Sequence, residues 1–332
     1  MAIQVHRREF IFALGGAATM WSRKARAQGK HRVPKVGVLW HAGSAEEEGP
    51  LVPTLVEGFK KLGYVDGQTI VLEHRFPNEV PERFRSMAAE LVALNVDVLM
   101  SSGTTAALYA KAATATIPVV AMLVSDPLGI KLVDSLARPG GNVTGLSAFH
   151  SELIGKRLQL LKEAMPSLSR VAQLVNPLAQ VSRLFVDLTQ TAADQLGVKV
   201  ERFEAGNRGE LEPAFSAMAR ADMQGVLTNP DGLAYTQREL IGQLALKSRL
   251  AAAVFMREVL VPGTLLSYGA DALEICRRAA VYVDRILKGE KPGELPVEQP
   301  TKFQFVINLR TADALGITIP PLLLNQADEV IS

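Results

Sequence analysis

Short, continuous apolar runs alternate with helical patterns along nearly the whole chain, and this alternation limits the possible folds more than any other feature. Val36-Gly37-Val38-Leu39-Trp40 is apolar on both faces, as a strand covered by helices on two sides must be. A helix over 51–62 ends at Gly63, 70–73 reads as a strand, and 81–94 as a helix. Segments 96–100, 104–113 and 119–124 continue as strand, helix and strand. Such a succession closes only as a parallel, doubly wound sheet with helices on its faces.

After residue 150 the alternation starts afresh. Helices over 153–164, 181–196, 211–219 and 235–248 are interleaved with strands over 171–175, 198–203, 225–228 and 251–254. A strand over 264–267 precedes Asp271-Ala272-Leu273-Glu274, a capping box that opens a long helix to Leu287. Residues 288–296 are rich in helix breakers, 303–308 is a last strand, and short helices follow over 312–315 and in the tail after Pro320-Pro321. Two α/β units within 332 residues predict two lobes.

Between the units lies the stretch from Ser125 to His150. Ser125-Asp126-Pro127 has the grammar of a helix start, because Ser and Asp cap free amides and proline suits the first helical position. One or two helical turns are expected before Arg138-Pro139-Gly140-Gly141-Asn142 stops them, and 143–147 reads as a strand leaving the region. A ligand site and a hinge are both expected here.

Charge placement excludes some functions. The net charge is +2, but residues 1–27 carry +4 through Arg7, Arg8, Arg23, Lys24 and Arg26 against Glu9, which leaves −2 on the remainder. A slightly acidic body has no electrostatic footprint for nucleic acid. Residues 1–29 read as an export signal of the twin-arginine type: Arg7-Arg8, a modest apolar run over 10–20, and a small-x-small cleavage site near Ala27. That run is too short to span a ~30 Å hydrocarbon core. The single cysteine, Cys276, rules out an intramolecular disulfide, a two-cysteine racemase and a zinc cluster of cysteines.

In parallel doubly wound sheets ligands bind beyond the carboxyl ends of the strands. Those positions hold 40–44, 101–105, Ser125-Asp126-Pro127, Asn176-Pro177, Asn229-Pro230-Asp231 and Tyr268-Gly269-Ala270-Asp271, nearly all rich in small polar residues. Ser102-Gly103-Thr104-Thr105 opens a helix with hydroxyls beside free amides, a receptor for a carboxylate. Asp271 is equally explained as a helix cap with Glu274, and Ser125 and Asp126 as caps of their own turn. Asn176-Pro177 and Asn229-Pro230 also suit plain turns. His41 and His150 can approach a cleft, but the five histidines lack metal-ligand spacing. No phosphate-binding glycine loop and no nucleophile elbow is present. The expectation is a binding cleft without catalysis, cofactor or metal.

Several longer segments carry a family resemblance. They are 59–68 (FKKLGYVDGQ), Ser125 to Ser147, Gly155-Lys156-Arg157-Leu158, Ser267-Tyr268-Gly269, and 286–309 with 327–331. On these the chain resembles the ABC-transporter substrate-binding proteins of the tryptophan/tyrosine-type group, which have the type I periplasmic-binding-protein fold. The resemblance implies an α/β architecture of two doubly wound parallel-sheet lobes joined by a three-strand hinge. It implies lobe 1 over 33–147 plus 268–296, lobe 2 over 148–267 plus 300–332, and crossings near 147–150, 267–268 and 296–302. Carried onto this chain, the family's ligand contacts fall on Ser102, Gly103, Thr104, Thr105, Ser125, Asp126, Asn176, Asp231 and Tyr268, with Asp271 a further candidate.

The implied function is an exported, monomeric periplasmic receptor that hands a small solute, an amino acid or an aromatic carboxylate, to an ABC permease and its ATPase. Its carboxylate is expected at 102–105, an amine or hydroxyl near Asp126 or Asp231, and its apolar part against Tyr268 or Trp40. A sensor feeding a chemoreceptor is the alternative. The effector domain of a sugar-type repressor and an α/β enzyme are less well supported, since the chain has neither a DNA-binding segment nor a nucleophile–base pattern.

Overall fold

The computed structural model describes residues 32–332. The expected export signal over 1–29 lies outside them. The first half runs β1 (Lys35–Leu39), α1 (Leu51–Lys61), β2 (Val71–Arg75), α2 (Pro81–Ala93), β3 (Val98–Ser102), α3 (Gly103–Ala113), β4 (Val119–Val124) and β5 (Val143–Ser147). Next come α4 (His150–Ala164), β6 (Arg170–Val175), α5 (Ser182–Leu196), β7 (Lys199–Glu204), α6 (Arg208–Arg220), β8 (Gly225–Thr228), α7 (Gly232–Thr236), α8 (Arg238–Lys247), β9 (Ala251–Val254) and β10 (Leu266–Ala270). The chain ends with α9 (Ala272–Leu287), β11 (Phe303–Asn308), α10 (Leu309–Leu315), α11 (Pro321–Leu324) and β12 (Glu329–Ile331).

These elements build two lobes, each around its own sheet. The first sheet is five-stranded and wholly parallel, in the order β2-β1-β3-β4-β5. The second has seven strands in the order β12-β11-β10-β9-β8-β6-β7. It is parallel except where β11 meets β10 antiparallel, because the chain re-enters this sheet from the opposite end. All residues of β3, β4, β5, β8 and β9 are buried, as expected for strands with helices on both faces. No helix among the described residues is long and apolar enough to cross a membrane.

Differences from the sequence reading have local causes. Residues 126–136 form turns and bends rather than a helix. Asp126 spends its side chain on the amide of Gly129 at 2.9 Å, an Asx-type turn that competes with helix propagation. The helix expected over 235–248 is two, α7 and α8, meeting at Gln237. The tail adds β12, whose three residues pair in parallel with β11, a partnership that no local pattern encodes.

The connections between the sheets place the hinge. β5 leads directly into α4 across Ala148 and Phe149. β10 stays paired with β11 as far as Ala270–Phe303, so Tyr268 and Gly269 belong to the larger sheet and the chain leaves it only at Asp271. From there α9 packs against α1, β4 and β5. The return segment is tied to the outgoing one: Glu298 N–H donates to the Gly145 carbonyl (2.9 Å), and Ser147 N–H to the Glu298 carbonyl (2.8 Å).

Gly145 is required at this junction. Its φ is +153°, and a Cβ there would lie 1.8 Å from the Ala121 carbonyl oxygen of β4. Gly145→Ala should therefore destabilise the protein by about 2 kcal/mol or more, read as a lowered denaturation midpoint in urea.

Candidate functional site

The carboxyl ends of β1, β3 and β4 face those of β6, β8 and β9 across a cleft with about 620 Å³ of empty volume, its mouth included. One wall carries His41, Glu79, Leu123, Ser125 and the start of α3; the other carries residues 179–181, 230–232, Tyr235, Phe255 and Met256, with His150 at the crossing between the lobes.

Where β3 ends, Ser102-Gly103-Thr104-Thr105 opens α3 into the cleft. Gly103 has φ +84°, so the sharp turn from strand to helix needs glycine. No side chain caps α3, and the buried Ser102 Oγ has no hydrogen-bond partner. Thr104 Oγ1 accepts from the Ser125 amide at 3.1 Å, which joins this turn to the end of β4. A helix start with free amides and an unpartnered hydroxyl beside them suits an anion.

The same cleft also carries an acidic cluster around His41, whose ring is beside Gly103. Glu48 is fully buried and accepts hydrogen bonds from the amides of His41 (2.9 Å) and Ala42 (2.8 Å) and from His41 Nδ1 (2.6 Å). Burial pulls the His41 imidazole down, and the Glu48 carboxylate more than offsets it, so the net shift is upward and favours the imidazolium. Beside this pair stand Glu79 from the first lobe and Asp231 from the second. Burial pushes the Asp231 carboxyl up to about 6, against hydrogen bonds from the Ala234 and Leu233 amides and the Asn176 side chain. Burial likewise pushes Glu79 up to about 7.

His150 differs from His41. It packs edge-on against Phe255 with ring centroids 5.4 Å apart, and its Nδ1 is buried without a partner. Burial and the neighbouring Arg157 hold its imidazole well below the usual histidine range, so it stays neutral. Arg157 is itself buried, donating to the His150 carbonyl at 2.9 Å, with its guanidinium lowered to about 9 by burial.

Three non-glycine residues in or beside the cleft wall hold positive φ: Glu79 (+54°), Leu123 (+59°) and Phe149 (+57°), the residue before His150. Each conformation costs on the order of 1 kcal/mol and gathers where the surrounding structure enforces it. At Leu123 the cause is a register break in the β4–β5 pairing between Ala121 and Val124, and Leu123 lines the cleft.

The sequence profile of the ABC transporter substrate-binding proteins matches residues 50–331. The chain belongs to that family. This substrate-binding protein is 27% identical over 276 residues to the tyrosine-binding protein of Clostridioides difficile, covering 81% of this chain and 79% of that one. It superposes with a TM-score of 0.85 on a conserved domain protein from Vibrio cholerae, at 28% identity over 90% of this chain and all of that one. With the Streptococcus pneumoniae ABC domain in complex with L-Trp the TM-score is 0.84, at 25% identity and with coverage of 90% and 100%. The fold is the two-lobed α/β architecture of type I periplasmic binding proteins, as the resemblance implied.

Six of the residues singled out in the sequence line the cleft of this substrate-binding protein together: Ser102, Gly103, Thr104, Thr105, Ser125 and Asp231. Four do not. Asp126 is turned into its own loop. Asn176 stands behind Asp231 and hydrogen-bonds it. Tyr268 packs between Phe303 and Phe305 on the larger sheet. Asp271 caps α9 through the Glu274 amide at 2.9 Å and borders a separate cavity at the hinge. Trp40 is fully buried, bonded to His74 Nδ1 at 2.8 Å, and cannot reach a ligand. The apolar surface comes instead from Leu51, Tyr235, Phe255 and Met256. His41 and His150, which the sequence offered as able to approach a cleft, both line it, whereas Glu79 and these apolar residues went unrecognised because they stand alone in the sequence. A polar residue flanked by turn formers, as Glu79 is by Pro77-Asn78, was the only available signal.

The two walls are latched. Tyr235 Oη of the second lobe donates to the Glu48 carbonyl of the first at 2.7 Å, and its ring lies 4.9 Å from that of His41. Arg238 stacks over Tyr235 and donates to the Glu47 carbonyl at 3.2 Å. Tyr235→Phe removes this inter-lobe hydrogen bond and leaves the Glu48 carbonyl only the long contact from the Leu51 amide at 3.4 Å, at a cost of about 1 kcal/mol. Affinity for any ligand held in the cleft should then fall about fivefold by calorimetry, with little change in ligand-free stability.

Proposed function

We propose that this protein is an exported receptor of an ABC importer that closes its two lobes over an amino acid with a large apolar side chain. The observation that carries the reading is that Ser102 Oγ, Glu79 Oε1 and His150 Nδ1 are all buried without partners on one cavity. Buried polar atoms are nearly always paired, so three around one space call for a polar occupant. The ligand carboxylate sits at the start of α3, against the amides of 103–105 and Ser102. The amine lies toward Asp231, and the apolar part lies between Tyr235, Phe255, Met256 and Leu51. The binding of tyrosine and of L-Trp by two relatives of similar overall sequence supports this class.

Lobe 1 (33–147 with the segment around α9) and lobe 2 (148–270 with 300–332) move as bodies about the three crossings, and a permease with its ATPase reads the closed form. The leader over 1–29, with Arg7-Arg8 and Ala25-Arg26-Ala27, directs the chain to the periplasm as a monomer. No enzymatic role is proposed, because the cleft residues described here include no nucleophile paired with a base. Delivery to a chemoreceptor would use the same closure; transport is preferred because the family is that of ABC transporters.

Thermal-shift and calorimetric screening over amino acids and aromatic acids should find a stabilising ligand among those with an aromatic or branched side chain. No stabilisation across the set would refute this ligand class. Ser102→Ala, which removes a hydrogen bond to a charged group, should weaken binding about tenfold or more, and Thr104→Ala by a similar factor; unchanged affinity in both would place the anion elsewhere.

A further inference from the structure

Glu79 is held over the cleft by its backbone rather than by its side chain. Asn78 and Glu79 both adopt left-handed φ, +58° and +54°, and their amides donate to the carbonyls of Ala42 (2.9 Å) and His41 (3.0 Å). The carboxylate is thereby carried across to the second lobe, where it lies against Gly232. A Cβ on that glycine would fall 1.7 Å from Glu79 Oε1. Oε1 is buried and has no hydrogen-bond partner.

The charges facing Glu79 do not balance it. From the loop after β1 it meets His41 and, behind it, Glu48; from the loop after β8 it meets Asp231. The His41 charge is already engaged by Glu48 at 2.6 Å. Arg238, near His41, is committed to the Glu47 and Tyr235 carbonyls. No lysine or arginine lines the cavity. Two further carboxyls therefore face the cleft without a free cation beside them. Two other unpartnered polar atoms on side chains more than nine-tenths buried, Ser102 Oγ and His150 Nδ1, look into the same space.

We infer that Glu79 is the specificity-determining counter-ion for a primary ammonium group of the ligand, and that binding of this group draws off any proton the carboxyl carries. This rests on the reading of the cleft as the ligand site. When R–NH3+ enters, the Glu79 carboxyl ionises, its proton leaves to solvent, and a carboxylate–ammonium pair replaces the neutral acid. The upward displacement of Glu79 to about 7 by burial is consistent with this, and Asp231, displaced less far, is the second acceptor for the same amine. The left-handed backbone at Asn78 and Glu79 is then a cost of presenting the carboxylate from one lobe to a ligand clamped by the other.

The experiment is calorimetry on the mature protein with four probes: L-tyrosine, L-tryptophan and their deaminated counterparts, 3-(4-hydroxyphenyl)propionate and indole-3-propionate. Titration at fixed pH in buffers of different ionisation enthalpy should show release of about half a proton per amino acid at pH 7, rising to about one or more at pH 6 as Asp231 adds its own share. The deaminated acids should bind at least about 100-fold more weakly and release none. Glu79→Gln should abolish most of the release and most of the preference for the amine. Gly232→Ala, whose methyl displaces the carboxylate, should do the same. Equal affinity for the deaminated acids, or no proton release by wild type, overturns the inference.

A ligand-free measurement separates this from failure of the ligand class. Glu79 takes up a proton more readily folded than unfolded, so it makes stability fall as pH rises from about 4.5 to about 7. The melting temperature of Glu79→Gln relative to wild type should rise across that window and level off above it. If none of the four probes binds, the ligand class fails, and parallel melting profiles for the two proteins would overturn the role of Glu79 as well.

Discussion

The buried carboxylate of Glu48 is the contact on which the closed molecule depends. It fixes the loop after β1 by accepting two backbone amides and the His41 imidazole, and the carbonyl of the same residue receives the Tyr235 hydroxyl from the other lobe. Replacing either partner of such a pair leaves a desolvated charge, which costs far more than the intact pair contributes. Glu48 therefore acts less as a source of stability than as a gauge. It sets where His41 stands, and His41 with Tyr235 sets how near the lobes come.

The contact between the lobes rests on a balance of small terms. Against the latch stands the crowding of carboxyls from the two lobes at Glu79 and Asp231. Each term is of order 1 kcal/mol or a few times that, the scale on which a ligand can shift a two-state equilibrium. The hinge is stiffer than its short crossings suggest, because Gly145, Ser147 and Glu298 are hydrogen-bonded across two of them.

The cleft lining combines groups of opposite demand, an uncapped helix start and a neutral histidine with two surplus carboxyls. The two histidines show how environment divides one residue type. His41 is held toward its charged form by Glu48, and His150 toward its neutral form by burial and Arg157.

The strand–helix alternation was legible in the sequence because its signal is local. Doubly buried strands must be apolar throughout, and α9 announces its start through the Asp271–Glu274 cap. The cleft's polar rim was legible for a similar reason: Ser102 to Thr105, Ser125 and Asp231 sit at strand ends, where topology alone directs them to one edge. Tyr268 and Asn176 obey the same strand-end rule, yet one packs into an aromatic cluster and the other braces Asp231. Side-chain direction at a strand end depends on the partner strand and on bulges, which periodicity does not encode. Glu79 and His150 reach the cleft through left-handed backbone at or beside them, and β12 exists only because β11 offers an edge. Sequence alone thus determined the two lobes and the edge toward which their strand-end loops point. Tertiary structure decided which charges meet there, because those contacts join residues that are far apart in the chain and lie on separate lobes.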